Sequence, residues 1–408
     1  MPRFTADVRT TPFQLLNSIK MPRIHKTVSG VDVNPPNEPD RTNVRSGAAA
    51  PRRAPDARLA SLYDSARARG TAIAAGKRVR EQVRVRSVAP GIIQTTITAP
   101  KRNEASLAPD QAPLIRIQNL LKEKSEYTRL TVIGGASATS VAGTANGAAP
   151  QRPESLSENT AVPAAVINGG YFIHKPGLLG DSGQPIHDIG VPIGPTSHRQ
   201  DHQPISRTWK KYYGQVKIDN ETGLCSGPLL ARNGKQEPVP FGNHEFLYRP
   251  DGRNENELNQ YGGAMTPSGD PIERSAISVN MSASGTRGDV VMHALTAGGS
   301  RTRGATMADW QKLTRIGADS AQGHAHSSGT GGNASTLALD GGGSTYLGLR
   351  DENGVTTLVH GRGGISGDSI RPTPNVIVST PVLEQPHIVP AANNGQRISI
   401  DQAPQDED

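Results

Sequence analysis

Residues 335–360 read STLALDGGGSTYLGLRDENGVTTLVH, and this stretch decides the fold. Apolar and β-branched residues run from Ser335 to Leu339, an acid stands at Asp340, and Gly341, Gly342 and Gly343 follow at once. That order predicts a strand delivering a carboxylate into a glycine turn. YLGLRD (346–351) and VTTLVHG (355–361) then read as a strand pair. The same texture extends outward in both directions. VRVRSV (83–88), GIIQTTITA (91–99), LIRIQ (114–118), RLTVIGG (129–135), AVPAAVING (161–169), YYGQVKID (212–219), SAISVNM (275–281), VVMHALTA (290–297) and NVIVST (375–380) all predict short strands. ATMADWQKLTRIGADS (305–320) predicts the one good helix, with an apolar stripe through Met307, Trp310, Leu313 and Ile316 and Gly317 as its stop. Residues 136–160 are small and polar and predict a long surface loop.

The expected architecture is an α+β fold, a β-rich mixed sheet core with few helices. Residues 1–81 are expected to be a disordered basic segment, 82–382 one catalytic domain, and 383–408 a flexible tail. Within 1–81, DARLASLYDSARARG (56–70) predicts a short helix. Composition supports this division: 34% of residues are hydrophobic, only 4% aromatic, and there are 45 Gly and 32 Pro, a turn-rich balance. The net charge of +7 is uneven. Residues 1–110 hold 19 Lys and Arg against 9 Asp and Glu, while the remainder holds 25 against 28. The basic character therefore belongs to the N-terminal segment, and nucleic acid is not the expected partner of the folded part. A lone cysteine, Cys225, excludes an intramolecular disulfide and predicts a small buried hydrophobe. No apolar stretch approaches the ~20 residues of a spanning helix, and the first twenty residues lack the apolar region of a classical leader.

Three glycines in succession let a ligand approach the main chain and can present consecutive N–H groups to an anion. Ser344 and Thr345 add hydroxyls. Asp340 beside such a turn predicts an acid/base group or a grip on a sugar hydroxyl. The alternative is a plain glycine turn capped by an acid. No lysine follows the glycines, so this is not a nucleotide phosphate loop. Arginines at other strand ends, Arg274 and Arg371, would each alone be a surface ion pair.

NGGYF (168–172), ERSA (273–276), LDGGGST (339–345) and RPTPNVIV (371–378) occur in the order seen in the phosphodiester glycosidase family, which the chain resembles over roughly residues 82–382. The resemblance implies hydrolysis between a sugar's anomeric carbon and a phosphate. Carried onto matching positions, it implies Asp340, Arg274, Arg371 and Asn168 as catalytic residues, with Arg274 and Arg371 binding the phosphate through the planar guanidinium fork. Gly169, Gly170, Gly341, Gly342, Gly343, Ser344, Thr345 and Asn375 would line the substrate. No metal and no cofactor is implied, and the partner is a small-molecule or glycan sugar phosphate. Ser275 replaces the family's usual Thr, and Ala297-Gly298-Gly299 stands where an Asp-Gly pair is common. That departure leaves open a non-hydrolytic binder of a nucleotide or sugar-phosphate signal. The Arg/Ser/Pro-rich start resembles the export segments of bacterial effectors. It predicts secretion without a classical signal peptide, into a host cell, with a secretion chaperone docking on the segment; cytoplasmic residence is the other expectation.

Weaker signals remain. His198 and His202 are four apart but flanked by Pro195 and Pro204, against a helical metal pair. His187-Asp188 could line a cleft or sit in a plain loop. His324 and His326 lie in a Gly/Ser-rich insert, where solvated histidines are expected, and GRGGISG (361–367) predicts a turn beside the site.

Overall fold

The computed structural model describes residues 82–100, 113–180, 182–240, 262–280, 288–300, 302–321, 333–362, 369–383 and 398–404. The expected disordered segment 1–81, its short helix, and the His324/His326 insert lie outside them. In chain order the elements are β1 (Val83–Ala89), β2 (Ile92–Thr98), α1 (Pro113–Leu120), β3 (Glu126–Val132), β4 (Thr139–Gly143), α2 (Pro153–Ser157), β5 (Ala164–Asn168), α3 (Arg207–Lys210) and β6 (Gly214–Ile218). They continue as β7 (Glu221–Ser226), β8 (Leu229–Arg232), β9 (Lys235–Gln236), β10 (Arg274–Asn280), β11 (Val290–Thr296), α4 (Met307–Ala321), β12 (Ala334–Ala338), β13 (Tyr346–Asp351), β14 (Gly354–His360), β15 (Asn375–Ser379) and β16 (Ile398–Gln402).

The strands form three sheets: β1-β2-β3-β11-β10-β12-β8-β9, β14-β13-β5-β15-β4 and β16-β6-β7. The fold is β-rich with few helices, as expected. Every pairing between named strands is antiparallel, so the mixed sheet is corrected to antiparallel ones. Alternation along the strands sorts the apolar side chains into separate clusters. In β5, Ala165 and Ile167 face a central core shared with Ile277, Val279 and Met292 of the eight-stranded sheet. Ala164 and Val166 face outward, toward Leu156 of α2. The far side of the eight-stranded sheet is covered by α1 and α4, through Leu114, Ile117, Trp310 and Leu313. This two-sided burial is what a period of two permits.

Four local expectations change. LIRIQ is helix α1, not a strand, because Leu114, Ile117 and Leu121 fall on one helical face that α4 buries. The region 136–160 holds β4 and α2; β4 is a sheet edge of small residues paired with β15. Helix α4 starts at a reciprocal cap, Thr306 Oγ1 accepting from the Asp309 amide (3.2 Å) and donating to its carboxylate (2.8 Å). It then runs through Gly317 to Ala321. Gly317 is there for close approach: a Cβ would lie against the Tyr127 hydroxyl and 3.1 Å from the His293 ring. Finally, Ile398–Gln402 of the expected tail is strand β16, paired with β6 and burying Ile398 and Ile400. Among the described residues no helix is long and apolar enough to cross a membrane.

Candidate functional site

The glycine turn carries the chain from the eight-stranded sheet (β12) to the five-stranded sheet (β13), and the candidate site lies at this seam. Antiparallel pairing brings the start of β10 to the end of β12, and the start of β15 to the end of β5. Arg274, Asp340, Asn168 and Asn375 therefore gather from distant parts of the chain.

Asp340 is the centre. Its amide donates to Gly169 O (3.1 Å). Its carbonyl accepts from Asn168 Nδ2 (2.8 Å) and Ser275 Oγ (2.5 Å). Its carboxylate accepts the Gly341 amide (2.9 Å) and the Ser344 hydroxyl. Arg371 Nη1 in turn donates to Ser344 Oγ (3.3 Å), so Ser344 relays between cation and acid. Burial raises the Asp340 carboxyl above its ordinary range; Arg371, Ser344, His174 and the Gly341 amide oppose that rise. A carboxyl fixed on both backbone and side chain has the chemistry to exchange a proton with a group placed against it.

Two neighbours were not foreseen. His174 is exposed at the rim and shares the electrostatics of Asp340 and Arg371. Desolvation of its inner side, with Arg371 and Lys175, lowers its pKa, against the pull of Asp340. Tyr171 is half-buried; burial, with Asp340 adding and Arg274 opposing, pushes its hydroxyl up to about 12. The only sequence hint to either was position, directly after Asn168-Gly169-Gly170.

The remaining expected residues turn inward. Arg274 is buried, its Nε donating to Ala305 O (3.0 Å) and its Nη2 to Pro267 O (2.7 Å) and Asp270 O (2.9 Å). That edge of the guanidinium is spent on backbone carbonyls. Asn168 is fully buried; besides holding Asp340 it accepts the Tyr346 amide at Oδ1 (3.0 Å), so it ties the acid to β13. Asn375 is also buried, its Oδ1 accepting the Gly170 amide (3.2 Å). Gly169 is required there, since any Cβ would collide with Asn375 Oδ1.

Most amides of the triglycine turn are bonded within the protein. The Gly342, Ser344 and Thr345 amides bond to the carbonyls of Glu273, Gly341 and Gly342, and the Gly341 amide to the Asp340 carboxylate. Gly343, Ser344 and Thr345 are buried. The glycines shape the turn and bring Asp340 close to the β10 backbone.

The weaker histidine signals do not converge. His198 packs against Gly143 while His202 is exposed, and among the described residues no group of three or more His, Cys, Asp or Glu could hold a metal ion. His187 and Asp188 are exposed. Cys225 is buried as expected. A separate cavity of about 370 Å³ is lined by Lys211, Tyr212, Leu229, Glu237, Pro238 and Gln402, none of them from the Asp340 cluster.

No family model and no curated protein matches this chain. Among solved structures, a hypothetical protein from Synechocystis is similar at 12% identity and a TM-score of 0.33, over 73% of this chain and 64% of that one. The chain thus spans less than two thirds of that protein. A Burkholderia pseudomallei protein that carries an export label in its name is similar at 11% identity and a TM-score of 0.33, over 73% of this chain and 96% of that one. At such scores neither fold carries over to this chain.

Proposed function

We propose that the Asp340 site hydrolyses a sugar-1-phosphodiester, the reaction implied by the family resemblance. The observation that carries this reading is the Arg371–Ser344–Asp340 relay, which sets a guanidinium beside a carboxyl held on both its backbone and its side chain. The bond from the anomeric carbon to the phosphate oxygen breaks, and its electron pair leaves with the phosphate. Arg371 stabilises the charge that develops there. The oxocarbenium-like sugar is stabilised by the Asp340 carboxylate. Water adds to the anomeric carbon and gives its proton to Asp340 or His174, so a free sugar and a phosphate monoester result. Arg274, Asn168 and Asn375 serve by fixing the frame.

Aryl sugar-1-phosphodiesters, with released sugar and phosphate monoester both measured, test this. Loss of turnover by two orders of magnitude or so is expected for Asp340→Ala and for Arg371→Ala, typical of removing a charge-stabilising group. Full activity in both variants refutes the assignment.

The second reading is a non-hydrolytic binder of a sugar phosphate or nucleotide. It is favoured by Ala297 in place of the family's acid, and its signature is saturable binding without turnover. Delivery into a host cell is a separate proposal, resting on the composition of residues 1–81; a reporter fused to that segment that stays inside the producing cell ends it.

A further inference from the structure

Glu273, the first residue of ERSA, has a role that neither the resemblance nor the proposed reaction uses. Its side chain is buried in front of β10. One carboxylate oxygen, Oε1, accepts the amides of Ala297 (3.0 Å) and Gly299 (3.1 Å). The other, Oε2, accepts the Arg362 amide (2.7 Å). Its own carbonyl accepts the Gly342 amide (2.8 Å). One residue thus ties together three segments far apart in sequence: the loop after β11, the loop after β14, and the triglycine turn. The two loops also touch each other, since a Cβ on Gly299 would lie 3.3 Å from the Arg362 Cβ and carbonyl oxygen. The loop after β14 rests on the turn, with Gly361 donating to Thr345 O (2.7 Å).

A carboxylate accepting three backbone amides is a strong and directional anchor. Both oxygens are needed as acceptors, and only an ionised carboxylate offers two without a competing donor. We propose that Glu273 is a positioning residue that sets the rim of the Asp340 site, by locking the 297–299 and 361–362 loops against the triglycine turn. The inference rests on the reading of Asp340 as the reactive centre. Asp340's own bonds do not pass through the Glu273 side chain, so the rim can loosen while the acid stays in place. The consequence is a split: substrate affinity depends on Glu273, and the chemistry of Asp340 does not.

The test uses the full chain and the isosteric variant Glu273→Gln. The amide nitrogen then faces at least one backbone N–H, and the pairing that costs least sacrifices the single bond to Arg362. Hydrogen exchange followed by mass spectrometry should show faster exchange in peptides covering 358–362, with a smaller change over 295–300. KM for an aryl sugar-1-phosphodiester should rise about tenfold, as loss of fixed geometry commonly does. The kcat and its pH profile, set by Asp340, should hold. A second variant, Gly299→Ala, disturbs the same latch from the loop side, because that residue has φ +79°; it should raise KM in the same direction, and it keeps the test decisive if the Gln variant does not fold. Unchanged exchange at both loops overturns the latch, as does loosened exchange with an unmoved KM. If the wild-type chain turns over no phosphodiester, the reaction assignment fails on that result alone. The latch is then judged by binding of inorganic phosphate and glucose 1-phosphate, where a tenfold loss in Glu273→Gln supports it. Equal affinity, or no binding by the wild type, overturns it.

Discussion

Asn168→Ala separates the two roles an asparagine at a strand end can have. In the structure Asn168 Oδ1 accepts the Tyr346 amide (3.0 Å), and Nδ2 donates to the carbonyls of Asp340 (2.8 Å) and Gly169 (3.1 Å), all in a fully buried position. Truncation leaves the Tyr346 amide unpaired inside the protein, which costs about 1–3 kcal/mol. The Asp340 carbonyl keeps its bond from Ser275 Oγ (2.5 Å), so the loss there is the net value of one hydrogen bond, about 0.5–1.5 kcal/mol. Together the expected destabilisation is about 2–4 kcal/mol. Urea unfolding, followed by the fluorescence of the buried Trp209 and Trp310, should show a lower midpoint at an unchanged slope. Turnover should fall through kcat, because Asp340 loses one of its two carbonyl anchors, while KM stays near the wild-type value. An unchanged urea midpoint together with weakened substrate binding would refute the reasoning and return Asn168 to the ligand.

Two further outcomes follow from the same geometry. Arg274→Ala should lower stability by roughly 3 kcal/mol or more, since three carbonyls lose a charged donor; Arg371→Gln should leave the urea midpoint near wild type and weaken phosphate binding, and isothermal titration with glucose 1-phosphate beside the urea curves checks the contrast. His293 is fully buried between the Tyr127 hydroxyl (2.6 Å) and Ser278 Oγ (2.8 Å), and burial, with Arg129 nearby, lowers its pKa to about 3. The unfolded chain therefore takes up this proton first: stability is full above about pH 6.5 and falls at up to ~1.4 kcal/mol per pH unit as pH drops toward 3. His293→Gln should flatten that slope in urea midpoints measured between pH 7 and 4, and an equally steep slope in the variant sinks the assignment.

Much of the fold was legible because strands buried on both faces carry β-branched and aliphatic runs. AAVI, SAISV, VVMHAL and NVIV need no partner to be seen as β. What hid were the segments whose side chains are too small or too few to show a period. TSVAG (139–143) reads as loop until β15 supplies its partner. LIRIQ reads as strand because five residues cannot distinguish period two from 3.6. ISIDQ (398–402) follows a long polar stretch, and its burial depends on β6, nearly two hundred residues earlier.

The site divides along a different line. Asp340 is singled out in the sequence by the glycine turn and Arg371 by the resemblance, and the fold joins them through Ser344. Asn168, Arg274 and Asn375 are equally visible, and the resemblance turns them toward a ligand, yet both amide atoms of Asn168, the Nε and Nη2 of Arg274 and the Oδ1 of Asn375 bond to backbone groups. Residue type reports how many hydrogen bonds a side chain can make; it says nothing about whether a ligand or a carbonyl will accept them. That is settled by which main-chain groups the crossing between sheets leaves unpaired. Here the turn from β12 into β13 and the loops beside it leave the Asp340 carbonyl and the Ala297, Gly299 and Arg362 amides outside any strand ladder, and the Tyr346 amide at the start of β13 bonds to a side chain. Asn168, Ser275 and Glu273 answer them. The polar side chains that reach the Asp340 turn from distant parts of the chain are therefore bonded largely to its main chain, while Arg371 meets it through Ser344 and His174 stands exposed beside it.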